Sequence, residues 1–357
     1  MSTEDLLANA PLRYSTDTKP GYTREIKDKK FIYFDQHGKK ITDEKVVERI
    51  NKLAIPPAYT NVWICPYKNG YLQAIGYDAK HRKQYRYHPL WNEISQKEKF
   101  GHVIEFAKHL PTIRTHITDD LARQDLPREK ILAAIVWLLE HTLIRVGNEE
   151  YEKDNKSYGL TTLKNRHVRL KEANNIVFQF KGKSGVHHTV TFHNKRVATI
   201  IRKCKELPGQ DLFEYLDGDK NIQSISSSDV NTYLKEISGA EITAKDFRTW
   251  GGTVMAATAF DLCDTKDERD IKKNTIETIK KVAKHLRNKP NTSKKYYIHP
   301  YIIAAYAKGL TLSKVNKHKT MEGLDECENK VVSLLKQMKR EEEKIIHHMQ
   351  KNKNNFL

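Results

Sequence analysis

The hydrophobic pattern of this chain changes its period near residue 96, and that change constrains the fold more than any other feature. Before it, short apolar stretches at residues 31–34, 62–65 and 71–75 are separated by turn residues, as in β-strands. After it, apolar residues recur every three to four positions, as in amphipathic helices. The sequence therefore predicts an α+β fold: a small antiparallel β-sheet domain, then a larger, mainly α-helical domain with a small three-stranded sheet.

The same pattern divides the chain into four segments. They are a polar, flexible N-terminus (residues 1–20), a sheet domain (21–97), a helical domain (98–315) and a charged helical extension (316–357). A helix in the sheet domain is expected to begin after an N-cap at Thr42. Apolar residues of the extension recur at positions 331, 335, 338, 345 and 349, but Glu342 interrupts their stripe. We therefore expect this helix to pack against the rest of the protein rather than form a coiled coil.

Basic residues exceed acidic ones by a wide margin. The chain has 63 Lys and Arg residues against 45 Asp and Glu residues, a formal net charge of +18 and a pI near 9.5. An excess of this size favours a polyanionic partner, most simply nucleic acid. No apolar run reaches the roughly 18 residues that span a bilayer, and the first residues lack the basic and apolar regions of a signal peptide. We therefore expect the protein to stay in the compartment where it is made.

The four cysteines, Cys65, Cys204, Cys263 and Cys327, lie far apart in the sequence. They form no Cys-x-x-Cys pair, and no group of Asp, Glu and His has metal-ligand spacing. This pattern argues against a zinc site and a disulfide framework, and it favours reduced thiols.

Residues 81–88, HRKQYRYH, interleave basic, amide and aromatic side chains. On a strand they divide between two faces, with Arg82, Gln84 and Arg86 on one and Lys83, Tyr85 and Tyr87 on the other. Such a strand can offer donors to phosphates and an amide to base edges. A solvated edge strand kept soluble by its charges explains the pattern equally well.

Two basic residues stand out at the ends of predicted elements in the helical domain. Arg145 is expected on the shoulder of the apolar stripe of a helix over residues 128–146, where an arginine needs an anionic partner. Lys183 is expected at the tip of a hairpin with arms at residues 176–180 and 186–192. Its turn reads Gly-Lys-Ser-Gly, but Val177 stands where a phosphate-binding Walker loop needs glycine, which excludes a P-loop.

Two more basic residues follow a helix-start pattern. The stretch 243–246, Thr-Ala-Lys-Asp, predicts a capping box that opens a helix. Lys245 and Arg248 would project from one face of that helix. Gly251 and Gly252 would leave space beside them.

The stretch 288–301, NKPNTSKKYYIHPY, contains Asn288 and the tyrosine that we expect to do the chemistry, Tyr297. Pro300 is expected in the first turn of a helix, and the residue before it is biased away from helical backbone. Tyr297 should therefore lie beside a kink. A single tyrosine most often packs in a core, and the chain has 17 of them, so this stretch alone leaves that alternative open.

Phosphoryl transfer to a tyrosine would use this set of side chains. Two guanidiniums can bind the non-bridging oxygens of a phosphodiester and stabilise the charge of the transition state. An ammonium can donate a proton to the leaving oxygen, and an amide adds one more donor. Because no metal-ligand pattern is present, the protein must supply the positive charge.

Eight motifs of this chain resemble those of type IB DNA topoisomerases of the small poxvirus-like and bacterial kind. They are IPPA (55–58), VWICP (62–66), RKQYRYHP (82–89), IRVGNE (144–149), YGLTTL (158–163), GKSG (182–185), KDFRTWG (245–251) and YIHP (297–300). They cover about residues 20–310 in the order of the family. The resemblance implies the fold shared by tyrosine recombinases and type IB topoisomerases.

The resemblance also assigns roles to residues. It makes Arg145 and Arg248 the two catalytic arginines, Lys183 the general acid and Lys245 an auxiliary acid. The nucleophile is Tyr297 rather than Tyr296, because the match is to Tyr-Ile-His-Pro. The family position nine residues before the tyrosine is Asn288, as in bacterial members; poxvirus members have His there. Residues 289–291 read Lys-Pro-Asn where Thr-Pro-Ala is usual, which bears on the conformation of the loop.

The implied reaction is transesterification on double-stranded DNA. Tyr297 attacks a backbone phosphate and forms a 3′-phosphotyrosyl link, the strand rotates, and the free 5′-hydroxyl attacks back. One ester replaces another, so neither ATP nor a divalent metal is required. The resemblance further implies a monomer that closes as a clamp around the duplex. The expected location is the cytoplasm, in association with the nucleoid, if the source is bacterial, or the virion or host compartment if the source is a large DNA virus.

Two other functions are compatible with parts of the sequence. A tyrosine recombinase or integrase shares the catalytic fold, but those enzymes usually carry His-x-x-Arg where this chain has Lys245-Asp-Phe-Arg248, and they work as tetramers. A non-catalytic basic DNA-binding protein would explain the charge without using Tyr297.

Overall fold

The computed structural model describes residues 3–8, 10–28, 30–171, 174–219, 221–264, 267–315 and 320–354. Over these residues the chain has the mixed α+β fold that the sequence predicts. It divides into two compact units, one ending at Phe100 and the other beginning at Gly101. In the described parts of the chain no helix combines the length and the apolar character needed to cross a bilayer.

The first unit is built on one antiparallel sheet of five strands in the order β2-β1-β3-β4-β5. The strands are β1 Tyr22–Lys27, β2 Lys30–Phe34, β3 Thr60–Ile64, β4 Leu72–Tyr77 and β5 Lys83–Tyr87. The core on one face of the sheet includes Tyr33, Ile64 and Ala74. The sequence did not predict β1, because none of its side chains is buried and it therefore shows no hydrophobic alternation.

Two helices of the first unit differ from the prediction. Helix α2 (Glu44–Lys52) is capped by Asp43, not Thr42, since the Asp43 carboxylate accepts hydrogen bonds from the backbone of Lys45 and Val46 at 2.8 and 3.3 Å. Within residues 1–20, predicted as a flexible segment, the structure has helix α1 (Thr3–Ala8). Its Leu7 is buried in a small cluster with Leu12 and Trp91.

The second unit is mainly helical. Helix α3 (Pro89–Ala122) continues into it from the first unit. The remaining helices are α4 Arg128–Thr142, α5 Glu149–Asn155, α6 Lys195–Glu206, α7 Ser227–Ser238, α8 Ala244–Asp261, α9 Glu268–Leu286, α10 Pro290–Tyr296, α11 Pro300–Ala307 and α12 Glu326–Asn354. Helix α4 is buried on nearly all sides and packs against α6, α7 and α8, so it forms the centre of the core.

Helix α4 ends earlier than predicted. The sequence predicted helix to residue 146, whereas Leu143 adopts a left-handed backbone with φ of 52° and ends the helix at Thr142. The apolar stripe continues past this point because Leu143 and Ile144 are still buried, although their backbone is no longer helical. Arg145 therefore lies on an irregular segment after the helix rather than on its shoulder.

Two small sheets complete the second unit. The predicted three-stranded sheet is present, with β6 Val168–Leu170, β7 Asn175–Lys181 and β8 His187–His193 in sequence order. Strands β7 and β8 form the predicted hairpin, and Lys183 lies in its turn. A two-stranded sheet of β9 Glu214–Leu216 and β10 Ile222–Ser224 was not predicted.

The C-terminal helix α12 packs against the rest of the unit, as predicted. Val331, Leu335 and Met338 are buried, and the Tyr301 hydroxyl on α11 donates a hydrogen bond to Glu342. Ile345, predicted to face inward, is 51% exposed. The side chain of Met349 lies outside the described residues.

Candidate active site

Five of the six candidate catalytic residues line one cavity of about 280 Å³ in the second unit. They are Arg145, Lys183, Lys245, Arg248 and Tyr297. The sixth, Asn288, accepts a hydrogen bond from the Arg145 guanidinium through its side-chain oxygen. The structure thus brings together groups from four segments that are distant in sequence.

Arg248 is the most deeply buried of these groups, with 4% of its surface exposed. It lies in the second turn of α8, which opens with the predicted capping box of Thr243 and Asp246. Its guanidinium donates to the backbone carbonyls of Leu143 and Leu286 and lies 5.0 Å from the centre of the Tyr297 ring. Two helix ends thus hold this arginine against the tyrosine.

Arg145 and Asn288 form a second contact between segments. The backbone N–H of Asn288 donates to the Ala283 carbonyl at 2.9 Å, and this hydrogen bond fixes Asn288 just after the end of α9. Burial lowers the pKa of the Arg145 guanidinium, and the nearby Tyr297 hydroxyl partly offsets that effect. Arg145 is therefore a desolvated cation directed at Tyr297.

Two buried donors of the site lack an acceptor among the described residues, Nε of Arg248 and Nδ2 of Asn288. A buried donor without an acceptor costs about 1–3 kcal/mol, so native structures seldom contain one without a reason. Arg248 lines the cavity, and Asn288 is bound to Arg145, which lines it as well. An oxyanion such as a phosphodiester would accept hydrogen bonds from both groups and neutralise the guanidinium charge.

Tyr297 is the C-cap of α10, the residue directly after its last helical residue, and its backbone N–H donates to the Ser293 carbonyl at 3.0 Å. Burial raises the pKa of its hydroxyl, but the positive charges of Arg248, Arg145 and Lys245 lower it by more. The net pKa lies below the ordinary value near 10. The site thus makes the phenolate, which is the nucleophilic form, easier to reach than it is for a tyrosine in water.

Gly251 and Gly252 of α8 allow close packing of neighbouring segments and do not leave the open space that the sequence had predicted. The sequence predicted that Gly251 and Gly252 leave space beside Lys245 and Arg248. In the structure that space is filled, since a Cβ at Gly251 would lie 2.7 Å from the Leu143 side chain and one at Gly252 would lie 2.6 Å from the Tyr297 carbonyl oxygen. Gly252 therefore allows α8 to contact the backbone of the tyrosine segment.

We expect Gly252→Ala to slow the predicted attack of Tyr297 on a phosphodiester by roughly 100-fold, because a shift of about 1 Å in a reacting group can have an effect of that size. The obstacle is backbone, which cannot move without displacing Tyr297. The measurement is single-turnover cleavage of a duplex. The control is Gly101→Ala, where an added Cβ meets nothing within 4 Å and the rate should not change. A wild-type rate in the Gly252 variant would contradict the assigned contact.

Lys183 and Lys245 are exposed at the edge of the cavity. Lys183 lies in the tight turn between β7 and β8, where Ser184 and Gly185 have left-handed φ values of 63° and 77°. Lys245 lies in the first turn of α8. Both ammonium groups can approach a ligand in the cavity from solvent.

His188 is a buried residue of β8 that was not among the predicted site residues. The ring is buried, stacks on Phe180 at 4.7 Å and has both nitrogens unpaired within the described structure. Burial and the charges of Arg287, Arg145 and Arg248 lower its pKa to about 4, so the imidazole is neutral at pH 7. The alternation of β8 places this position inward and could have identified it.

Five of the six predicted DNA-binding residues lie on β5 (Lys83–Tyr87), an edge strand of the first unit, and the sixth, Arg82, directly precedes that strand. Arg82 and Lys83 pair with Asp78 and Asp17 at 2.7 and 2.6 Å, which neutralises part of the charge of the strand. Gln84 donates to Asp78, Arg86 donates to the Ala54 carbonyl, and the exposed rings of Tyr85 and Tyr87 stack at 6.0 Å. A charged edge strand is thus observed, and its contact with DNA stays a prediction.

Two family models match the chain. A model of the catalytic core of eukaryotic DNA topoisomerase I matches residues 89–324, and a model of the N-terminal domain of bacterial DNA topoisomerase IB matches residues 30–78. Strand β5 lies between the two matched regions. Helix α12 begins just after the catalytic-core match, which ends at residue 324. The larger match includes all six candidate catalytic residues.

Two viral proteins are similar to most of the chain, and a plant protein is similar to about half of it. DNA topoisomerase 1B of Acanthamoeba polyphaga mimivirus is 35% identical over 295 residues, which cover 80% of this chain and 87% of the viral protein. DNA topoisomerase 1B of vaccinia virus (strain Copenhagen) is 24% identical over 73% of this chain and 82% of its own length. DNA topoisomerase 1 beta of Arabidopsis thaliana is 29% identical over 49% of this chain, but the match covers only 18% of the plant protein.

Proposed function

The chain belongs to the type IB DNA topoisomerases, and from this membership we propose which of its residues carry out the reaction and how. It is a DNA topoisomerase, and DNA is its substrate. The observation that carries the assignment is the grouping of Arg145, Arg248, Lys183 and Tyr297 around one cavity, with Asn288 bound to Arg145.

In the proposed cleavage step the Tyr297 oxygen attacks a backbone phosphorus. The lowered pKa of the hydroxyl supports this role, because the phenolate is the better nucleophile. The guanidiniums of Arg145 and Arg248 and the free Nδ2 of Asn288 bind the non-bridging oxygens, whose charge grows in the transition state. Their burial strengthens this effect, because the local dielectric constant is low.

The leaving 5′-oxygen needs a proton, and we assign the donation of that proton to Lys183. Lys183 is carried into the edge of the cavity by a hairpin turn, and an ammonium there can donate to an oxygen displaced on the side opposite the tyrosine. Lys245 is proposed as an auxiliary acid. Religation reverses the path: the 5′-hydroxyl attacks the phosphotyrosyl link, and Lys183 takes the proton back.

The remaining proposals concern conditions and partners. Since one phosphodiester replaces another of similar energy, we propose that neither ATP nor a divalent metal is needed. We further propose that the protein acts as a monomer that closes around duplex DNA, and that residues of β5 contact the DNA. Its place of action is then wherever its genome lies: the nucleoid of a bacterial cell, or the virion or host compartment of a large DNA virus.

The proposal is tested by relaxation of a negatively supercoiled plasmid in EDTA without ATP. We expect full relaxation at catalytic amounts of protein, and relaxation of positive supercoils as well. A recombinase would instead need a specific site and a tetramer, and a non-catalytic DNA-binding protein would relax nothing. Activity that appears only with ATP or added magnesium would overturn the proposed mechanism.

A further inference from the structure

Arg287 is the residue between helix α9 and Asn288, and its backbone conformation is unusual. It is the C-cap of α9 with φ of 52° and ψ of 53°, in the left-handed region. Helices that end this way usually have glycine there, because a Cβ is strained in this conformation. A strained position occupied by a long cationic side chain suggests that the side chain has a function.

The guanidinium of Arg287 connects two parts of the site. One nitrogen donates to the His285 carbonyl at 3.0 Å, within its own segment, and the other donates to the Thr189 carbonyl on β8 at 3.3 Å. Arg287 thus links the segment that leads to Asn288 and Tyr297 with the hairpin that carries Lys183.

The contact at Thr189 is close to the turn of the hairpin. Thr189 pairs with Gln179 across the hairpin, and its neighbour is the buried His188. A Cβ at Gly182 would lie 2.4 Å from the His188 ring, so this imidazole lies directly against the backbone that precedes Lys183. A displacement of β8 would therefore displace the turn.

In the part of the chain that the structure describes, no carboxylate neutralises the charge of Arg287. Among the described residues it forms no ion pair, and its acceptors are backbone carbonyls. Burial lowers its pKa, and its charge lowers the pKa of both Arg248 and His188. An arginine in this position adds to the repulsion between cations, so ordinary stabilisation does not account for it.

We propose that Arg287 is a positioning residue for the general acid: by holding the Thr189 carbonyl, it fixes the hairpin so that Lys183 reaches the leaving oxygen. This rests on the role proposed for Lys183. In the step concerned, the Tyr297 oxygen bonds to phosphorus, the bond from phosphorus to the 5′-oxygen breaks, and the proton of the Lys183 ammonium moves to that oxygen. The phenol proton of Tyr297 is released to solvent.

The test is single-turnover cleavage by Arg287→Gly of two duplexes that differ in one atom. One has an ordinary phosphodiester at the cleavage site, and the other has a 5′-bridging sulfur, whose thiolate leaves without a proton. We expect the variant to be roughly 10- to 100-fold slower on the ordinary duplex and within about threefold of wild type on the sulfur duplex, since a general acid contributes only where the leaving group needs a proton.

Glycine is the informative replacement because it removes the guanidinium and relieves the backbone strain together. The Tm of the variant should stay within about 3 °C of wild type, which separates a positioning role from a folding defect. The matched control is Asp125→Gly, an exposed residue with the same left-handed φ of 52°, in the loop before α4. It should leave both rates unchanged.

Two results would overturn the proposal. One is a wild-type rate of Arg287→Gly on the ordinary duplex, and the other is an equal loss on both duplexes. Lys183→Ala on the same two duplexes tests the function on which the proposal rests. If Lys183→Ala is not rescued by the sulfur, the role assigned to Lys183 is wrong; if it is rescued and Arg287→Gly is not, only the positioning role fails.

Discussion

Replacement of Tyr297 by phenylalanine is expected to abolish relaxation and leave DNA binding intact. The change removes one oxygen and keeps the ring, so the packing against the Arg248 guanidinium is preserved. Without the oxygen no covalent link to phosphorus can form, and we expect cleavage to fall by at least about 10⁵-fold, as when the nucleophile of other covalent enzymes is removed. The measurements are plasmid relaxation, trapping of the covalent complex on a denaturing gel, and binding to a labelled duplex.

Tyr296→Phe is the matched control, because it makes the same chemical change one residue away. Tyr296 is the last residue of α10, is 41% exposed and does not line the cavity. We expect its variant to relax DNA at the wild-type rate. Relaxation by the Tyr297 variant, or its loss in the Tyr296 variant, would show that the nucleophile is assigned to the wrong tyrosine.

Features set by short stretches of sequence could be predicted well. The β7–β8 hairpin follows from alternation on both arms and a glycine-containing turn, and it places Lys183 at its tip. The start of α8 follows from its capping box, which determines the face that carries Lys245 and Arg248. Likewise, the interrupted stripe of the C-terminal segment correctly predicted packing onto the protein.

Features set by tertiary contacts were missed. The end of α4 depends on a left-handed turn at Leu143, whose carbonyl accepts a hydrogen bond from Arg248 far away in sequence. Strand β1 has no buried side chain, so only its neighbours in the sheet define it. The contact of Gly252 with the Tyr297 backbone likewise joins two distant segments. None of these leaves a periodic pattern, because the partners lie outside any local window.

The C-terminal helix shows how a segment beyond the matched region can support the site. Helix α12 begins after residue 324, where the catalytic-core match ends. Its Glu328 is 6% exposed and accepts hydrogen bonds from Arg114 and from the indole of Trp250, which lies one half-turn beyond Arg248 on α8. The helix is thus joined to the same element that holds Arg248, the second of the proposed catalytic arginines.

Arg248→Ala is expected to slow cleavage by roughly 10³-fold or more while the Kd for DNA changes by less than about threefold. The reason is that charge on the non-bridging oxygens grows in the transition state, so the lost interaction is stronger there than in the bound complex. Single-turnover cleavage and duplex binding measure the two effects. Because the residue is buried, the Tm is measured as well, and Arg248→Lys keeps a charge in the same space.

The pH dependence of the same variant separates two effects of the guanidinium. Arg248 contributes to the lowered pKa of Tyr297, so its removal should raise that pKa and move the cleavage profile to higher pH. The ratio of the wild-type rate to the variant rate should then stay constant below the Tyr297 pKa of the wild type and shrink between that pKa and the higher Tyr297 pKa of the variant, where only the variant still gains phenolate. The part of the ratio that remains above both pKa values measures stabilisation of the phosphate charge. A ratio that stays constant across the profile would mean that Arg248 acts on the phosphate alone and does not activate the nucleophile.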